Sequence, residues 1–206
     1  MTAAARRIAV VDYGAGNLAS IHKALAAVGC EPLAWTAGAP PVDIAGIVVP
    51  GVGHFGATSA IDGERRESIL RHVAAGRPLL GICLGMQWLF SASAEARGIR
   101  GLGLLSGCST RIRADRPLKV PHVGWNALVV ASTTPLIAGI ADGAQVYFTH
   151  SFAVAESDCA VATAVHGQPF VAAVQCDHVC GVQFHPEKSG EVGLRILRNF
   201  AQMTRS

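Results

Sequence analysis

The chain has 206 residues, of which 50% are hydrophobic and 15% charged, with a formal net charge of +3. That size and apolar content suit a single domain, residues 1–206, with a sizeable core. The charge is too small and too dispersed for the clustered basic footprint of a nucleic-acid binder. The uncharged stretches 120–141 and 159–176 are interrupted by Pro121, His122, Asn126 and Pro135 and by His166, Gln168 and Pro169, so neither reads as a membrane span. Residues 1–7 lead into only four apolar residues, 8–11, before Asp12, too few for the apolar region of a signal peptide, and a cytoplasmic protein is expected.

Residues 8–11 read as a strand, 17–28 as a helix, 32–35 and 44–49 as strands, 58–75 as a helix and 79–82 as a strand. Alternation of this kind predicts an α/β fold, a parallel sheet with helices on both faces. A helical run, Met86 to Phe90, follows residue 85, and the pattern then turns to extended segments near 108–112, 127–130, 145–149, 159–165, 170–175 and 179–184, several of them expected to be antiparallel. An amphipathic helix over 190–203 closes the chain, offering Leu194, Ile196, Leu197 and Phe200 for burial. The six cysteines, Cys30, Cys83, Cys108, Cys159, Cys176 and Cys180, are expected as free thiols. Cys176, His178 and Cys180 lack a second ligand pair at zinc spacing, so no metal is expected there.

Gly81-Ile82-Cys83-Leu84-Gly85 lies where an apolar strand gives way to a helix. That is the sequence of a nucleophile elbow with sulfur in place of oxygen, in which flanking glycines admit a sharp turn and the helix N-terminus favours a thiolate. A cysteine nucleophile needs an imidazole to take its proton and a carboxylate to hold that imidazole. His185 and Glu187, just past the strand 179–184 and separated by Pro186, supply both. Taken singly, each has a bland reading as a core histidine and a solvated charge. Pro50-Gly51-Val52-Gly53 also follows a strand, and two glycines around one residue leave backbone N–H groups free to face a cleft. The amides of Val52 and Leu84 are the natural donors to an oxyanion, although a glycine-rich turn with no such role is the alternative. Gln87, one turn after the nucleophile, is placed to bond an amino acid's polar groups, or else is a solvated helix residue.

These motifs resemble the class I glutamine amidotransferases, whose mark is G-x-C-x-G with a late H-P-E. Matching segments include Asp12 to Leu18, Pro50 to Gly56, Gly81 to Gln87, Pro121 to Asn126, Tyr147 to Ser151 and Phe184 to Ser189. Pro50-Gly51-Val52-Gly53 and Pro121-His122-Val123-Gly124-Trp125-Asn126 are similar to one branch, the amidotransferase subunits of imidazole glycerol phosphate synthases. The resemblance implies a flavodoxin-like fold, a central and mostly parallel sheet with flanking helices and extra antiparallel strands. It also implies hydrolysis of L-glutamine through a Cys83 thioester and no cofactor. Ammonia would go to a TIM-barrel cyclase partner, in a heterodimer making imidazole glycerol phosphate and aminoimidazole carboxamide ribotide for histidine biosynthesis. By the same resemblance Gly53, Gln87, His150 and Ser151 bind glutamine, and Asn17, Trp125, Asn126 and Lys188 meet the cyclase. One departure is Phe152, where the family usually has tyrosine.

Other readings are discriminated by short segments. Gly14-Ala15-Gly16-Asn17-Leu18-Ala19 fits a loose dinucleotide fingerprint, but Trp35-Thr36-Ala37-Gly38 lacks the carboxylate that would hold a ribose. A non-catalytic binding module would show an altered nucleophile or histidine. The glutaminase that feeds pyridoxal phosphate synthesis would show Pro-Gly-Gly-Glu-Ser in the oxyanion segment. Arg111, Arg113, Arg116 and Lys119, with only Asp115 against them, form either a solvated basic face or a feature that steers a partner. Because ammonia made without an acceptor wastes glutamine, the Val52 amide is expected to point away from the oxyanion until the partner binds substrate.

Overall fold

The computed structural model describes residues 5–61, 63–113 and 117–204, so Asp115 and Arg116 of the basic stretch lie outside the described residues. The chain runs β1 (Arg6–Val11), α1 (Leu18–Ala27), β2 (Cys30–Trp35), β3 (Gly46–Val49), a 3-10 helix (Phe55–Ala60), α2 (Gly63–Ala74), β4 (Leu79–Ile82), α3 (Leu84–Leu89) and β5 (Phe90–Ser93). It continues through β6 (Leu105–Arg111), β7 (His122–Ala127), β8 (Val129–Val130), β9 (Gln145–His150), β10 (Phe152–Val154), β11 (Ala160–His166), β12 (Gln168–Cys176) and β13 (Val179–Val182). A short 3-10 helix (Pro186–Lys188) leads into α4 (Gly190–Met203).

Eight strands form the main sheet in the order β2-β1-β3-β4-β13-β12-β11-β8. Pairing is parallel from β2 to β13 and antiparallel beyond it. The parallel portion has the flavodoxin-like order. Strands β3, β4 and β13 are buried at every position, as expected where helices cover both faces. Alternate residues then serve opposite cores. Ile8, Val10, Val48 and Ile82 face one core with Leu25 of α1 and Leu197 and Phe200 of α4. Ala9, Val11, Ile47 and Val49 face the other, with Ile69 of α2 and Met86 and Trp88 of α3. A three-stranded sheet, β10-β6-β5, and an antiparallel ribbon, β7-β9, complete the fold.

The expected helix over 58–75 is two helices. Thr58 and Ser59 hydroxyls bond back to the carbonyls of Phe55 and Gly56, both at 2.8 Å, which closes the first turn locally. Ile61 then goes extended (φ −77°, ψ 95°) and buries its side chain before α2 begins at Gly63. Phe90 likewise leaves the elbow helix, since at φ −78° and ψ 177° it starts a strand instead. Strands β7 and β10 are also additions to the sequence reading. The terminal helix matches its expected bounds, although Leu194 is only half-buried.

Helix α3 packs back onto β3 so closely that a Cβ on Gly85 would overlap the Val49 carbonyl oxygen. Gly85→Ala is therefore expected to lower the unfolding free energy by about 3 kcal/mol. A urea midpoint equal to that of the parent chain would contradict this packing.

Candidate active site

The elbow follows from strand register. Ile82 ends β4 beside Val182 at the end of β13, so the next residues, Cys83 and Gln183, emerge at the same carboxyl edge. The Cys83 amide donates to the Val182 carbonyl at 2.8 Å, and its own carbonyl accepts from the Gln87 amide at 3.1 Å. Between those ties Cys83 adopts φ 52° and ψ −105°, a conformation that residues with a Cβ rarely take. The strain sits on the cysteine itself. Gly81 is needed for close approach, because its Cβ would lie 2.7 Å from the backbone of Gly85.

His185 is held from several sides. Its amide donates to the Tyr147 carbonyl at 2.9 Å and its carbonyl accepts from the Ser189 hydroxyl at 2.7 Å. Its Nδ1 lies 2.9 Å from Oε1 of Glu187, with side-chain exposures of 2% and 1% for the pair. This leaves Nε2 buried and without a hydrogen bond, as is Oε2 of Glu187. Burial disfavours charge on His185, but the neighbouring Cys83 and Glu187 outweigh it and push the imidazole up to about 9. Chemically, the arrangement favours an imidazole that takes up a proton and keeps it at neutral pH.

The Pro50 to Gly53 segment packs against the elbow. A Cβ on Gly51 would overlap the Tyr13 hydroxyl and lie 2.8 Å from Cβ of Leu84, while Gly53 takes φ 98°. The Tyr13 hydroxyl donates to the Pro50 carbonyl at 2.8 Å, and burial raises its pKa. The Leu84 amide, expected to face an oxyanion, donates to the Gly51 carbonyl at 3.4 Å. In a trans peptide the C=O and N–H point opposite ways, so the Val52 amide is directed away from that position.

Gln87 is neither solvated nor open to a ligand as folded. It is 4% exposed, and its Nε2 donates to the Phe152 carbonyl at 2.8 Å and to Oε1 of Gln183 at 3.0 Å. Phe152 is used through its backbone carbonyl. His150 is buried; its Nδ1 donates to the same carbonyl at 3.0 Å, and its Nε2 faces Nδ1 of His122 at 3.1 Å. Burial, then the adjoining imidazoles, push His150 down to about 3, and burial and His166 push His122 down to about 4. Ser151 is half-buried. Gln183, whose Nε2 lies 3.5 Å from the Cys83 sulfur, escaped the sequence reading. Its signal was a polar residue at the carboxyl end of an otherwise apolar strand.

The outer face of the β7-β9 ribbon presents Val123 and Trp125, both 57% exposed. Trp125 meets Tyr147 edge-on at 6.1 Å, and the Lys188 ammonium lies 5.7 Å from the Tyr147 ring centre. Asn126 turns inward to bond the Val165 carbonyl at 2.8 Å and Nε2 of His122 at 3.3 Å. Asn17 sits at the start of α1 without a side-chain cap. The Gly14 to Gly16 loop packs against Pro50 and Gly51, and Trp35 bonds the Gly38 carbonyl at 2.9 Å. Arg111, Arg113 and Lys119 are exposed. All six cysteines are free. Among the described residues no group of three or more ligating side chains is arranged to hold a metal, and no helix is long and apolar enough to cross a membrane.

The fold and the elbow facing a buried histidine–glutamate pair define a glutamine amidotransferase of class I, and the model of that family, Glutamine amidotransferase class-I, matches residues 9–203. The fold is shared with PurLQS from Thermotoga maritima (TM-score 0.74, 22% identity, 96% of this chain and 98% of that one). A crystal structure of a glutamine amidotransferase is similar too (TM-score 0.75, 18% identity, covering 96% and 99%). Closer in sequence are proteins named Imidazole glycerol phosphate synthase subunit HisH. That of Syntrophotalea carbinolica is 44% identical over 95% of this chain and 100% of its own length. That of Gloeobacter violaceus is 46% identical over 97% and 90%. The chain belongs to the class I glutamine amidotransferase family, within this group of HisH subunits.

His122 and His150 are neutral when folded but free to protonate when unfolded, so below pH 6.5 the unfolded chain binds more protons. Their contribution to stability is full above that value and falls as the pH drops toward about 4. Urea unfolding at pH 7 and pH 5 should show this loss, with a slope smaller by about 1 kcal/mol per pH unit in His150→Asn.

Proposed function

We propose that this chain hydrolyses L-glutamine to glutamate and ammonia through a thioester on Cys83 and delivers the ammonia to a TIM-barrel cyclase subunit in a heterodimer. The cyclase uses it to make imidazole glycerol phosphate and aminoimidazole carboxamide ribotide in histidine biosynthesis, in the cytoplasm. The observation that carries the glutaminase reading is the buried His185–Glu187 pair, 2.9 Å apart, beside a cysteine on a strained elbow. His185 takes the thiol proton while Glu187 holds the imidazolium. The sulfur attacks the substrate's amide carbon, and the intermediate collapses with that proton leaving on ammonia. Water, deprotonated by the same imidazole, then cleaves the C–S bond and releases glutamate. Gly53, Gln87, His150 and Ser151 mark the wall that receives glutamine, with Gln87 acting through its hold on the Phe152 carbonyl.

The oxyanion meets Leu84 and, after rotation of the Gly51–Val52 peptide, the Val52 amide. The rotation is triggered by the substrate-loaded cyclase, which docks on the face around Asn17, Trp125, Asn126 and Lys188. The 3.4 Å contact from Leu84 to the Gly51 carbonyl supports this gating, because a carbonyl in that place opposes an oxyanion. The Pro50-Gly51-Val52-Gly53 segment and the HisH-named relatives favour this partner over pyridoxal phosphate synthesis.

Glutamate release from glutamine should be slow for the chain alone and rise about 100-fold with the cyclase subunit and its nucleotide substrate, a gain of the size one restored oxyanion donor supplies. Cys83→Ala should abolish both rates. Equal, substrate-independent rates would reject the gated reading. In calorimetry, Trp125→Ala should weaken cyclase binding about 30-fold, as expected of a buried aromatic anchor, and unchanged affinity would remove Trp125 from the interface.

A further inference from the structure

The geometry points to Gln183 as a catalytic residue whose side-chain N–H, aimed by hydrogen bonds that begin at the Phe152 carbonyl, holds the Cys83 sulfur whenever that sulfur is negatively charged. This rests on Cys83 being the nucleophile. Gln183 is fully buried, and its Nε2 lies 3.5 Å from the sulfur. An amide side chain can present either its oxygen or its nitrogen, so the orientation needs a cause. A backbone carbonyl only accepts. The Phe152 carbonyl, 2.8 Å from Gln87, therefore fixes nitrogen on that side of the Gln87 amide. The same nitrogen reaches Gln183 at 3.0 Å, which requires Oε1 there and turns Nε2 of Gln183 toward Cys83. On its other side Gln87 presents Oε1 to the Ser109 hydroxyl at 3.5 Å, a donor that agrees with this polarity. His150 donates to the same Phe152 carbonyl at 3.0 Å and steadies the first link.

The sulfur carries charge twice in the proposed cycle. It does so after losing its proton to His185, and again when the C–S bond of the thioester intermediate breaks and sulfur keeps the electron pair. At both stages an N–H donor strengthens as its acceptor ionises. The thiol's weak contact with the Thr149 carbonyl, at 3.9 Å, offers no such help, because a carbonyl cannot donate. Gln183 thus complements His185, which removes the proton while the amide receives the charge. Its position is a consequence of register, since it and Cys83 each follow the last residue of paired parallel strands.

Alkylation of Cys83 by iodoacetamide, followed by peptide mass spectrometry from pH 5 to 10, tests this with neither glutamine nor cyclase present. In Gln183→Met the pH midpoint should rise by about one unit, with about tenfold slower labelling at pH 7. Gln183→Glu, which sets a carboxylate against the sulfur, should shift it further. Gln87→Met should shift it less, because it only frees the Gln183 amide to turn. Folded Gln183→Met with the parent profile would overturn the proposal. Should that variant not fold, NMR of the parent chain decides. The Gln183 side-chain amide proton should follow the Cys83 titration and cease to do so in Cys83→Ala, whereas a pH-independent amide overturns the assignment. If the parent chain with cyclase and its nucleotide substrate released no glutamate while Gln183→Met still shifted the midpoint, the proposed function would fail and the hold of Gln183 on the Cys83 sulfur would stand.

Discussion

Everything at the candidate site depends on the parallel pairing of β4 with β13. Their register ends together, Ile82 beside Val182, and the two chains then diverge at one edge of the sheet. The Cys83 amide still bonds the Val182 carbonyl at 2.8 Å, so the last ladder bond of the sheet is also the bond that sets the elbow. A left-handed cysteine costs on the order of 1–3 kcal/mol and persists only where its surroundings over-determine it. Here the constraint comes from the sheet on one side and from α3 on the other, whose Gly85 lies against the Val49 carbonyl. A core of fully buried strands stabilises a local conformation that the elbow alone would not adopt.

Buried imidazoles near this edge show how position decides chemistry. His185 and His150 are both nearly inaccessible, and burial disfavours the charged form of each. His185 faces a carboxylate and a sulfur, and rises to about 9. His150 faces a carbonyl through one nitrogen and another imidazole through the other, and falls to about 3. The first arrangement suits proton transfer. The second fixes a neutral tautomer, in which His150 donates to Phe152 and accepts from His122, tying the β7-β9 ribbon to the polar residues behind Cys83.

Cys83, His185 and Glu187 are legible in the sequence because each is a chemically distinctive residue just past an apolar strand, and no long-range information is needed to suspect them. The flanking parallel strands are legible for the same reason, as short continuous apolar runs. Gln183 and the internal role of Gln87 are not. Their bonds join residues 96 and 100 positions apart, and a glutamine carries no local sign of what it will meet. Strand β7 is hidden differently, since its Gly124 and Asn126 read as loop residues until pairing with β9 supplies the missing ladder. The break before α2 depends on Thr58 and Ser59 satisfying their own turn, a local competition that hydrophobic periodicity cannot register.

The Gly51–Val52 peptide shows why a site can be complete in residues and incomplete in geometry. Its carbonyl accepts from the Leu84 amide at 3.4 Å, so one peptide plane both occupies a donor and withholds another. An oxyanion forming beside Cys83 would then lack the Val52 N–H and meet a carbonyl dipole of the wrong sign. One missing donor is worth about 3 kcal/mol of transition-state stabilisation. Rotation of a single peptide reverses both defects at once, and glycine on each side of Val52 lowers the barrier to it. The gating proposed above, placed at this peptide, would leave the elbow, the His185–Glu187 pair and the Gln183 contact undisturbed. Under that proposal the rate is set by one peptide plane, while the strained framework that positions the sulfur keeps its geometry.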